Sequence, residues 1–86
     1  MTIEKKVRNF KTKYKEGFTQ DEINTLLGDF PDLDLNKFYN ALKAVTGIFV
    51  KGKMIVYRSD IVTALHCGIE KRDLRSYEWD WKQNNI

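Results

Sequence analysis

Apolar positions in this chain recur first at helical spacing and later in strand-like runs, and glycines fall between most of the runs. Ile3, Val7, Phe10 and Tyr14 follow one another at four, three and four residues, which lines them along one stripe of an amphipathic helix that Gly17 is placed to stop. A second helix starts at Thr19. Thr19 and Glu22 make a T-x-x-E capping box, with Phe18 and Ile23 at the two positions of a hydrophobic staple. It runs through Leu26 and Leu27 to Gly28, which suits a left-handed C′ position. The segment "DFPDLD", residues 29–34, holds the only proline and ends on Asp34, a second capping residue with Leu33 and Phe38 as its staple. A third helix follows. Leu35, Phe38, Tyr39, Leu42 and Val45 form its apolar face, Asn36, Lys37, Asn40 and Lys43 point away, and Gly47 closes it.

Periodicity changes after residue 46. "GIFVKGKMIVY" contains two β-rich runs around Lys51-Gly52, a hairpin signal in which glycine supplies the positive φ of a tight turn. Ser59 or Asp60 then caps a short fourth helix that carries Ile61, Val62, Ala64 and Leu65 and ends at Gly68. In the remaining tail, Tyr77, Trp79 and Trp81 alternate with period two, which predicts an extended segment, and the polar end frays. The expectation is one α+β domain over 1–86. Residues 3–67 supply a three-helix core, a β-hairpin and the fourth helix, and 68–86 form an aromatic C-terminal tail.

This order resembles the winged-helix branch of the helix-turn-helix proteins. "FTQDEINTLLG" stands where the scaffold helix lies, "LNKFYNALKAV" where the recognition helix lies and "IFVKGKMIVY" where the wing lies. The resemblance implies a fold and does not by itself imply a function. In so short a chain, "CGIEKRDLRSYEWD" also resembles the small, functionally unassigned proteins of bacteriophages and prophages.

Charge changes the picture more than composition does. With 86 residues, 42% hydrophobic and 31% charged, the chain has room for one modest core and lies far from the composition of disordered proteins. Its net charge of +3 hides a strong alternation. Residues 1–17 carry six bases and two acids, 18–34 five acids and no base, 35–58 five bases and no acid, and 59–86 four bases and five acids. Such blocks give faces of opposite sign. The first helix, with Lys5, Lys6 and Arg8 and then Lys11, Lys13 and Lys15 around its stripe, reads either as a solvated face or as a surface for an anionic membrane or nucleic-acid backbone.

Two binding readings compete. On the third helix, Asn36 and Asn40 can pair with adenine edges and Lys37 and Lys43 with guanine edges or phosphates, while Lys51 and Lys53 would hold the backbone as a wing does. Asp29, Asp32 and Asp34 oppose this reading, because the turn and the start of a recognition helix approach phosphates closely. In the other reading Tyr77, Trp79 and Trp81, interleaved with Glu78 and Asp80, anchor a protein partner, with Lys51 and Lys53 steering its approach.

Candidate chemistry is thin. His66 and Cys67 are consecutive on a helix, so their side chains diverge, and one histidine with one cysteine makes no zinc set. Cys67 reads as a small core residue. The aspartates lack the spacing of a calcium loop and the dispersed glycines make no phosphate loop. No catalytic residue, metal or cofactor is therefore expected. The N-terminus has no apolar stretch resembling a signal peptide, so the cytoplasm, a host's if the chain is phage-encoded, is the expected compartment, and the apolar runs are too short for a membrane span. The sequence reading is a small non-enzymatic binding protein, a phage-type regulator or inhibitor of a host protein. Its alternative is a winged-helix, sequence-specific DNA-binding regulator.

Overall fold

The computed structural model describes residues 2–45 and 47–77; Trp79 and Trp81 lie outside them. The first helix, α1 (Ile3–Asn9), is capped by the Thr2 hydroxyl, which accepts from the Lys5 N–H at 3.2 Å. It stops five residues before Tyr14 rather than at Gly17. A continuing helix would direct the Lys11 N–H to the Val7 carbonyl, but that carbonyl accepts from the Arg58 guanidinium, which also donates to the Thr12 hydroxyl at 2.8 Å. The chain instead turns, and Tyr14 forms a bridge with Gly17.

Gly17 is not a helix stop. It opens a two-residue strand, β1 (Gly17–Phe18), that lies so close to the strand segment carrying Val56, its antiparallel partner, that a Cβ there would sit 1.9 Å from the Val56 carbonyl oxygen. Helix α2 (Gln20–Leu27) starts as its sequence requires: the Thr19 side chain accepts from the Glu22 N–H, and Glu22 accepts from the Thr19 N–H at 2.9 Å. Gly28 departs from expectation, with φ −61° and ψ −23° in the right-handed region. The Asp29 and Phe30 N–H groups bond to the Leu26 and Leu27 carbonyls, and these tightened turns satisfy the helix end without a left-handed residue.

Helix α3 (Leu35–Ala44) is capped by Asp34, which accepts from the Lys37 N–H at 3.1 Å, and buries Phe38 and Ala41. Gly47 does not close it but begins β2 (Gly47–Val50), which returns through Lys51-Gly52 as β3 (Lys53–Tyr57). Both turn residues have positive φ, 51° and 78°, as a type I′ hairpin turn demands. The antiparallel sheet has the order β1-β3-β2.

The fourth helix, α4 (Arg58–Glu70), is the largest departure from the sequence reading. At 13 residues it is the longest helix among the described residues, and neither Ser59 nor Asp60 caps it, since it begins directly from the strand. Gly68 lies inside α4 and is buried against Leu33 and Asp34, whose N–H donates to the Gly68 carbonyl at 3.1 Å. Lys71 ends the helix at φ 56°. The end of α4 thus meets the start of α3, whereas the end of α3 leads into the sheet from which α4 departs, so the two helices pack antiparallel. The core is built around this pair rather than around the first three helices: Phe38 and Ala41 meet Ile61, Ala64, Leu65 and Cys67, and Phe18, Ile23, Leu26 and Val7 close over them. Residues 74–77 form a helical turn, not an extended strip.

Candidate docking surfaces

The hairpin separates two kinds of side chain by simple alternation. Ile48 pairs with Ile55 across β2 and β3, and Ile55 is fully buried. The next pair, Phe49 with Met54, falls on the opposite face and stands out in solvent, 77% and 44% exposed. Lys51 in the turn and Lys53, which pairs with Val50 and so falls on the face opposite Phe49 and Met54, are both exposed at the tip. The sequence reading noted the lysines and passed over the apolar pair. The signal was present in the period-two pattern, because Phe49 is out of phase with Ile48 and Met54 with Ile55.

On α3, Asn36, Asn40 and Lys43 form one exposed stripe opposite buried Phe38 and Ala41. Lys37 stands to one side. Its Nζ lies 2.7 Å from the Asp73 carboxylate, and that bond raises its pKa above the ordinary 10.5. The aspartates of the α2–α3 connector crowd the same end of the helix, with Asp34 engaged as the cap and Asp29 and Asp32 exposed.

Tyr77 is half-buried and turned inward, packing against the core and stacking on His66 with ring centroids 5.8 Å apart. Burial pushes its hydroxyl above the usual 10. His66 is held from both sides: Nε2 lies 2.8 Å from Glu4 and Nδ1 3.3 Å from Glu70. The hydrogen bond with His66 draws the Glu4 carboxyl below its ordinary 4.5. This arrangement ties α1 and the 74–77 turn to α4. Neighbouring Cys67 is buried in the core.

Among the described residues no group of three His, Cys, Asp or Glu side chains is placed to hold a metal, and no helix is long and apolar enough to cross a membrane. No protein-family model, curated protein or solved structure matches the chain.

Proposed function

We propose that this chain is a non-enzymatic binding domain, a small regulator or inhibitor, that holds a protein partner against its β2–β3 hairpin. The observation that carries this reading is the Phe49–Met54 pair, two large apolar side chains side by side in solvent beside a hairpin tip that carries two exposed lysines. Aromatic anchors desolvated at the centre of an interface supply most of its retention, and surrounding charge speeds encounter and selects the partner. Tyr77 is turned toward the core, so of Tyr77 and Phe49 the hairpin's Phe49 is the better-presented anchor. The helix and strand order α1-β1-α2-α3-β2-β3, with sheet order β1-β3-β2, resembles that of a winged helix, and the resemblance favours treating the hairpin as a wing. The partner surface that fits has an apolar socket ringed by carboxylates.

A second reading is duplex DNA bound by α3. The free stripe of Asn36, Asn40 and Lys43 favours it. Against it stand the pairing of Lys37 with Asp73 and the exposed Asp29 and Asp32 at the helix start, where a recognition helix meets phosphates. A photo-reactive residue placed at position 49 or at position 40 separates the two. The hairpin reading expects protein adducts from position 49 that persist after nuclease treatment, and their loss in the Lys51→Glu, Lys53→Glu variant. Adducts from position 40 to duplex DNA, with none to protein from position 49, would overturn it.

A further inference from the structure

The far end of the α3–α4 pair carries a surface that is the hairpin's chemical complement. Phe30, Pro31, Leu33 and Ile69 line an open groove of about 190 Å³, and Asp29 and Asp32 form its rim. That volume is below the roughly 300–1,000 Å³ of small-molecule sites and suits an apolar side chain. Ile69, 39% exposed, keeps apolar surface in solvent there. Among the described residues neither rim carboxylate has a cation within ion-pair distance; the nearby Lys6 ammonium is directed to the Asp29 carbonyl oxygen at 3.3 Å and lies over the Phe30 ring. The groove is apolar with acidic residues beside it, whereas the hairpin is apolar with a basic tip.

We propose that the hairpin's partner surface is this groove on a second copy of the chain, so that copies associate head to tail. The proposal rests on the reading of the hairpin as a protein-docking surface. Position in the fold gives it direction. The groove lies where α4 ends and α3 begins, and the sheet lies where α3 ends and α4 begins, so a molecule cannot seat its own hairpin in its own groove. Phe49 or Met54 enters between Phe30 and Ile69, and Lys51 and Lys53 meet Asp29 and Asp32. Because the two contacting surfaces differ, the contact is heterologous, and it repeats into a ring or an open filament.

Complementary variants test this. Lys51→Glu with Lys53→Glu inverts the charge of the hairpin and leaves the groove; Asp29→Lys with Asp32→Lys inverts the charge of the groove and leaves the hairpin. In sedimentation at low salt the unaltered chain is expected to gain mass with concentration and to return to monomer as salt is raised. Each variant alone stays monomeric, because its hairpin and groove carry the same sign, and an equimolar mixture associates again with the two variants alternating, because each hairpin meets a groove of opposite charge on the other. Circular dichroism checks the fold of each, and the single changes Lys53→Glu and Asp32→Lys give the same pattern more weakly. An unaltered chain that is monomeric at millimolar concentration, or a mixture that does not pair, overturns the proposal. If position 49 still cross-links to a different protein under those conditions, the hairpin reading stands and only self-association falls; without either result both fall.

Discussion

Glu22 shows how much one side chain can be asked to do at the scale of a residue. It closes the capping box of α2 and also accepts the Lys13 N–H at 2.7 Å, so it fixes the helix start and the loop that precedes β1 together. Burial alone would lift its carboxyl, but the N–H groups of Thr19 and Lys13 and the Thr19 hydroxyl outweigh that and hold it below the usual 4.5. A depressed carboxyl contributes stability that is complete above the unfolded value and is lost as pH falls through the folded one. Urea midpoints of the unaltered chain should therefore fall as pH drops below about 4.5, and Glu22→Gln should be less stable at neutral pH and lose less on acidification. Equal pH slopes for the two chains would remove this role. Lys51 is a residue-scale oddity of the opposite kind: at φ 51° it occupies a conformation that asparagine tolerates better. Lys51→Asn should raise stability by roughly 0.5–1 kcal/mol in equilibrium unfolding.

At the scale of the element, α4 carries the sharpest conflict between local propensity and packing. Glycine inside a helix costs about 1 kcal/mol relative to alanine, so Gly68→Ala would stabilise an isolated helix. Here the added Cβ would lie 2.3 Å from Leu33 Cδ1 and 3.1 Å from the Asp34 carbonyl oxygen. The Leu33 side chain can swing, but the Asp34 backbone is held by its hydrogen bond to Gly68 and by its role as the cap of α3. Packing wins: Gly68→Ala should lower stability by about 1–2 kcal/mol in chemical denaturation, and a more stable variant would mean that α4 and the connector are free to separate.

Across the whole molecule the helical and sheet parts meet at Arg58. Its guanidinium lies over the Phe18 ring, 5.1 Å from the centroid, and its two ends reach the Val7 carbonyl and the Thr12 hydroxyl. One side chain therefore joins α1, the following loop, β1 and α4. Lysine cannot reproduce a planar fork that donates in two directions while stacking on a ring. Arg58→Lys should retain the fold with Tm lowered by several degrees, and hydrogen exchange should quicken in residues 9–17 before the α3–α4 core. Uniform acceleration throughout the described residues would place Arg58 in the global core instead.

Features read from neighbours along the chain were legible in the sequence. The capping box at Thr19, the Asp34 cap, the Phe38, Tyr39 and Leu42 positions of the α3 apolar face, though not Leu35, which is 52% exposed, and the Lys51-Gly52 turn depend on residues within a few positions of one another, where spacing fixes geometry. The exposed apolar pair on the hairpin was also within reach, by alternation alone. What needed the tertiary structure involved partners far apart in sequence. Gly17 is a glycine because Val56 passes over it, α1 ends early because Arg58 takes its carbonyl, and Gly68 continues a helix because Leu33 and Asp34 fill the space beside it. Each of these glycines or helix ends looks, locally, like ordinary punctuation. The sequence determines where a chain can turn, and only the packing of distant segments decides whether it does, because close approach and hydrogen-bond competition are properties of the folded neighbours.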